Sequence, residues 1–248
     1  MDKKSNYRSG AAWTVKSFSE RLIVALDYSD PGQAKKIISQ LAPLGVGFKV
    51  GLELYMAGGP AMVSDLSSRH RIFLDLKFYD IPNTVAAAVR AAASLNVWML
   101  NVHAAGGRKM LSAAREAVEG MEKRPIILAV TVLTSMDDQE MADTGCSGPL
   151  AERVTQLAGL TAECGLDGVV CSPLEIAAVK RSVSVQFITV SPGIRPSGEA
   201  TNDQFRTATP AKVIQSGGDY MVVGRPVTGS ADPLLAARKI LGDMGVDQ

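Results

Sequence analysis

Histidine and cysteine are scarce in this chain of 248 residues, which has two of the first, His70 and His103, and three of the second. So small a stock leaves little for a histidine-based metal centre or a Ser-His-Asp triad. Cys146, Cys164 and Cys171 are odd in number and lack metal-ligand spacing, as expected of free thiols in a reducing cytoplasm. Aromatic residues make up only 5% of the chain, which argues against a stacking platform for single-stranded nucleic acid. Neither sign of charge is in excess. Lys+Arg 26 against Asp+Glu 25 leaves +1, so no basic footprint for nucleic acid or an anionic membrane is expected. The apolar runs are strand-sized, too short to span a bilayer. The polar residues 1–20 lack the apolar stretch of a signal peptide and are expected to form a loosely ordered extension.

What the chain does have is a folded protein's composition, 46% hydrophobic and 21% charged. Its length suits one core of α/β-barrel size, here residues 21–248. Short β-branched or apolar runs recur at 22–26, 47–50, 72–76, 97–102, 126–132, 168–171, 187–190 and 220–223. Between them lie Ala- and Leu-rich amphipathic stretches at 33–41, 61–68, 85–93, 109–118, 149–163, 173–180, 210–216 and 233–240. Strands alternating with helices of this length predict parallel strands joined by helical crossovers. Eight such units without a composition break predict a single-domain (β/α)8 barrel of the TIM type. A doubly wound open sheet fits less well, because no strand is followed by a G-x-G-x-x-G turn. Two connections, 135–149 and 191–209, are long enough to be functional loops, and both follow the C-terminal ends of strands.

The third strand reads Ile72-Phe73-Leu74-Asp75-Leu76-Lys77-Phe78. Alternation along a strand puts Asp75 and Lys77 on one face and Leu74, Leu76 and Phe78 on the other. The apolar face must meet the helices, so Asp75 and Lys77 point into the barrel. Lys49 faces inward by the same rule, between Phe48 and Val50, and Asp27 follows the first strand inward. Four charges, two of each sign, thus converge at the C-terminal rim. Buried charges are tolerable when paired, yet an apolar plug is usually as stable, so a salt-bridge cluster without function explains them less well than a site needing fixed charges. Asp80 lies just beyond the strand. The eighth strand ends in Val223-Gly224-Arg225-Pro226, where Gly224 allows backbone to approach a ligand and Arg225 can grip a phosphate bidentately. Arg195 could add a second cation from the loop after the seventh strand. The inward-facing His103 reads as structural, and Thr134 and Ser135 offer hydroxyls after the fifth strand.

These residues resemble the signature of the orotidine 5'-phosphate decarboxylase family, of the bacterial single-function kind. The family pattern D-x-K-x-x-D-I-P-N-T stands intact at 75–84. Around it, in order, come Asp27, Lys49, N-V-H-A at 101–104, L-T-S at 133–135, S-P-G-I-R at 191–195 and V-G-R-P at 223–226. The resemblance runs from about residue 21 to 240. It implies a homodimeric barrel that decarboxylates orotidine 5'-phosphate to UMP, the last step of de novo UMP synthesis, without metal or organic cofactor. By matching position it implies Lys77 as proton donor to C6 of the pyrimidine and Asp75 beside the departing carboxylate, with Lys49 and Asp80 completing the charged array. Asp27 and Lys49 would hold ribose hydroxyls, and Thr134 or Ser135 the pyrimidine edge. Ile81 and Thr84 would contact substrate, Asp80 and Thr84 reaching into the partner subunit's site. Arg195, Gln204, Gly224 and Arg225 would line the phosphate side.

Two other readings compete. Sugar-phosphate decarboxylases and aldolases of the same suprafamily share the Asp-x-Lys-x-x-Asp strand but hold Mg²⁺ partly through a second-strand glutamate. Here the matching inward position is Lys49, which would repel a divalent ion. A catalytically dead phosphate-binding barrel would be expected to have lost Asp75 or Lys77, and both are present.

Overall fold

The computed structural model describes residues 17–196 and 206–245. Eight parallel strands close on themselves in sequence order, β1 (Leu22–Ala25), β2 (Gly47–Gly51), β3 (Ile72–Phe78), β4 (Met99–His103), β5 (Ile126–Val130), β6 (Gly168–Val170), β7 (Ile188–Ser191) and β8 (Tyr220–Val223). Closure is made by β1 against β8, with Ile23 opposite Val222. The expected (β/α)8 barrel is the fold, and each strand lies within three residues of its expected start and end.

Alternation sorts the core into two bodies, as the period-two pattern requires. Leu22, Val24, Phe48, Val50, Leu74, Leu100 and Val223 belong to the outer layer, packed against helices. Ile23, Ala25, Phe73, Met99, Leu128, Val190 and Val222 fill the barrel's interior.

The main crossover helices are α1 (Pro31–Leu41), α2 (Leu52–Ser67), α3 (Pro82–Ala93), α4 (Gly107–Glu116), α6 (Leu150–Glu163), α7 (Ile176–Ser182), α8 (Pro210–Gln215) and α10 (Pro233–Asp243). Proline opens α1, α3, α8 and α10, where its missing N–H leaves no intrahelical bond unmade. Within α2 the expected helix at 61–68 is the second half, and a further helical segment precedes it from Leu52. Gly59, at φ 67° and ψ −176°, is non-helical and breaks this span into two helical segments, with Pro60 opening the second. The long connection after β5 contains a further short helix, α5 (Asp138–Asp143). Asp137 and Glu140 cap it reciprocally, and Met141 anchors it in the core. A single turn, α9 (Arg225–Thr228), follows β8.

Residues 1–16 of the expected N-terminal extension lie outside the described residues. Its end joins the barrel through the 3₁₀ turn Phe18–Arg21, and Arg21, the first residue of the expected barrel, donates to the Gly218 carbonyl at 3.3 Å.

Candidate active site

The parallel strands all end at one rim, and a cavity of about 440 Å³ opens there. That volume suits a small-molecule ligand. Its floor is apolar, made by Ala25, Phe73, Val170 and Val222 from the barrel interior. Asp27, Lys49, Asp75 and Lys77 form one wall. Pro192, Gly193, Arg195, Gly224 and Arg225 form the opposite one, and Thr134 lies between them.

The four charges make a continuous chain. Lys49 Nζ lies 3.0 Å from Asp27 Oδ1 and 3.4 Å from Asp75 Oδ2, and Lys77 Nζ donates to Asp75 Oδ1 at 2.8 Å. The middle of the chain is the driest part, since the side chains of Lys49 and Asp75 are each 12% exposed. Burial pushes the Asp75 carboxyl up, but the charge of Lys49, then that of Lys77, with hydrogen bonds from Lys77 and Asn101, holds it below the usual carboxylate range. Burial likewise acts to lower Lys49, and the charges of Asp75 and Asp27 outweigh it and raise its pKa. Both groups therefore stay charged through the neutral range. Gly51 makes room for the pairing, because a Cβ there would lie 3.1 Å from Lys49 Nζ and 3.5 Å from Asp27 Oδ1.

Lys77 reaches this wall by an irregularity that strict alternation does not contain. Its φ is +50°, a left-handed conformation that a residue with a Cβ rarely adopts. The register of β3 against β4 shifts at the same place, from Leu74 opposite Leu100 to Phe78 opposite Val102. The amide of Lys77, displaced from the ladder, donates instead to Asn101 Oδ1 at 2.8 Å. The same side chain donates from Nδ2 to Asp75 Oδ1 at 2.7 Å. Asn101 thus holds two of the charged wall's residues in place, a part that the sequence reading did not give it. The signal was present: it is a polar residue at an inward position of β4, between Leu100 and Val102, and it is fully buried.

Of the residues expected at the site, Asp27, Lys49, Asp75, Lys77, Thr134, Arg195, Gly224 and Arg225 line this cavity. Ser135 is not among its lining residues. At position 224 a Cβ would sit 3.6 Å from Ala25 and 3.7 Å from Asp27, both cavity residues, so a side chain there would occupy ligand space. Asp80, Ile81 and Thr84 are exposed and do not line the cavity of their own chain. Asp80 Oδ1 accepts the Ile81 amide at 2.6 Å and pairs with no cation among the described residues. Gln204 lies outside the described residues. His103 has the structural setting expected of it. Its Nδ1 accepts the Ala105 amide at 3.4 Å, and its ring lies against Tyr79 with centroids 5.5 Å apart. Burial, then the charge of Lys77, lowers its pKa and favours neutral imidazole.

Residues 20–240 match the family model described as orotidine 5'-phosphate decarboxylase / HUMPS family. A protein from Chromobacterium violaceum named orotidine 5'-phosphate decarboxylase is 49% identical over 226 residues, covering 91% of this chain and 92% of its own. One of the same name from Halorhodospira halophila is 51% identical over 225 residues, covering 90% and 95%. Among solved structures, orotidine 5'-phosphate decarboxylase from Lactobacillus acidophilus superposes with a TM-score of 0.82 at 37% identity, over 92% of this chain and all of that one (100%).

Proposed function

The chain belongs to the orotidine 5'-phosphate decarboxylase / HUMPS family, and on that premise we infer that it decarboxylates orotidine 5'-phosphate to UMP, with Lys77 protonating C6 and no metal taking part. One observation carries the assignment of roles: a lysine ammonium fixed 2.8 Å from a buried aspartate at one wall of a cavity whose opposite wall bears Arg195 and Arg225.

The chemistry asks for such an arrangement. Breaking the bond between C6 and the carboxyl carbon releases CO₂ and leaves the electron pair on C6, in the ring plane, where no π-system delocalises it well. A preorganised cation is the direct remedy, because it needs no reorganisation as charge develops. The Lys77 ammonium gives its proton to C6 and becomes an amine, which solvent reprotonates after product leaves. Asp75 orients Lys77 and meets the substrate carboxylate; repulsion between the two carboxylates is a secondary contribution. Asp27 and Lys49 bind ribose hydroxyls, Thr134 the pyrimidine edge, and Arg195, Gln204, Gly224 and Arg225 the phosphate. Binding energy from the remote phosphate is then available to favour the reactive arrangement.

The homodimer belongs to the same proposal, with Ile81 at the substrate and with Asp80 and Thr84 completing the partner's site. Large apolar side chains stand exposed beside them, Tyr79 at 62% and Ile81 at 66%, with Leu52 at 58% and Met56 at 80% on the neighbouring α2. Exposed apolar side chains of this size suit burial against a second copy. We place the enzyme in the cytoplasm, where its free cysteines would persist as thiols.

Metal-dependent chemistry of the HUMPS kind is disfavoured by the donor set. The Lys49 ammonium stands 3.0 Å and 3.4 Å from two of the carboxylates that a divalent cation would need. The test follows orotidine 5'-phosphate absorbance with purified protein in excess EDTA. Full turnover is expected; activity lost to EDTA and restored by Mg²⁺ would transfer the site to the metal-dependent class.

A further inference from the structure

Behind Thr134, outside the cavity, the loops that follow β5, β6 and β7 meet at the side chain of Arg206. Arg206 lies on the segment returning from β7 to α8, two residues before Ala208. That segment is tied to the arginine wall of the cavity, since Ala208 bridges to Ile194 and its carbonyl accepts the Arg195 amide at 3.0 Å. From there the guanidinium reaches across the rim. Nη2 donates to the Leu133 carbonyl at 2.9 Å, Nε to the Thr134 carbonyl at 3.4 Å, and Nη1 pairs with Glu175. Glu175 is itself buried, at 6% exposure, and its Oε2 accepts the Ser172 amide at 2.9 Å in the loop after β6.

An ion pair that served only stability would need Glu175 alone. Here the remaining donors go to two consecutive carbonyls, and the second belongs to the residue that lines the cavity. A planar guanidinium can hold three acceptors in a fixed plane, whereas an ammonium on a flexible stem cannot fix their relative angle. We propose that Arg206 is a positioning residue for the decarboxylation, clamping the backbone at Leu133 and Thr134 so that the Thr134 hydroxyl is aimed at the pyrimidine. Through the Ala208 bridge the same clamp sets the distance between the base side and the Arg195 side of the cavity. The inference rests on the reading of Thr134 as a base contact.

Arg206→Lys tests it, because it keeps a cation opposite Glu175 and removes the fork. We expect kcat/KM for orotidine 5'-phosphate to fall about ten- to a hundredfold, the effect of a small misplacement of a positioning group, with the melting temperature close to the parent's. In a Thr134→Val background the same substitution should cost less than about threefold, since residues acting through one another are not additive. Arg206→Ala should repeat the pattern more strongly, and if it fails to fold, Arg206→Lys decides alone. Parental kcat/KM in Arg206→Lys, or an equal loss in both backgrounds, overturns the proposal. The two readings fail differently. A Thr134→Val enzyme with parental kcat/KM removes the base contact and the clamp's purpose with it; a slow Thr134→Val enzyme with additive Arg206 losses removes only the clamp.

Discussion

Ion pairs stand at both ends of this barrel, built from the same residue types, and they are finished in opposite ways. At the end where the strands begin, Arg124 grips both oxygens of Asp167 at 2.7 Å each, and Asp167 also accepts the Ile127 amide at 2.8 Å. Lys180 donates there to Asp219 at 2.6 Å and to the carbonyls of Phe187 and Val185 at 2.8 Å and 3.0 Å. These carboxylates and cations are satisfied by one another and by backbone, although Arg124 also borders a surface cavity of about 530 Å³. At the other end the chain Asp27–Lys49–Asp75–Lys77 ends in an ammonium that lines a cavity, on a residue held in left-handed backbone. Such a conformation costs roughly 1–3 kcal/mol and persists only where neighbours over-determine it. Saturation marks the pairs that hold the fold together. An open end and stored strain set apart the pair proposed to do chemistry, at the rim where barrel active sites are expected.

The sharpest way to break this contrast is at the open end. Lys77→Ala should lower turnover by about a thousandfold or more, the scale of a lost general acid and charge stabiliser, while UMP binding followed by calorimetry and the melting temperature hold. Measurable turnover near the parent's would take Lys77 out of the chemistry.

The closed end should respond in reverse. Asp167→Ala leaves Arg124 largely buried, its side chain 17% exposed, without its carboxylate. Removing one partner of a buried pair costs about 3–5 kcal/mol, so the urea midpoint should drop sharply while kcat/KM of the folded fraction stays at the parental value. A loss of kcat/KM at constant stability would mean that the two ends are coupled.

The smallest effect separates the ends by pH. Burial raises the Asp75 carboxyl pKa, but Lys49 and Lys77 bring it below the usual value. Its contribution to stability is therefore complete above the unfolded carboxyl pKa, about 4, and is lost as pH falls through the lower folded value. For Lys49, whose pKa is raised, the contribution is complete below the unfolded value, about 10.4, and fades only as pH rises through the folded one. Asp75→Asn should therefore flatten the acid limb of stability against pH and leave its slope near neutrality unchanged. An unaltered acid limb would show that the carboxylate is not held by its neighbours.

Much of this was legible in the chain, and the boundary is physical. Asp75 and Lys49 betray themselves because a closed sheet allows each residue one of two faces, and Leu74, Phe48 and Val50 occupy the greasy one. The proline-led helix starts are equally local. The short helix at Asp138–Asp143 is announced only by its Asp137–Glu140 cap, because 6 residues are too few to display a helical period. The left-handed turn at Lys77 was beyond reach, because it depends on an Asn101 amide 24 residues away. The Arg206 clamp is more hidden still, for Leu133, Thr134 and Glu175 come together only when three loops meet.

The bulge at Lys77 has an evolutionary and practical corollary. Because the amide of Lys77, the proposed proton donor, is moored to a side chain of the adjacent strand, the aim of its ammonium is governed from β4 as well as from β3. Variation at position 101 is thus expected to shift the Lys77 ammonium while every charged residue keeps its identity, giving this scaffold a steering point separate from its engine.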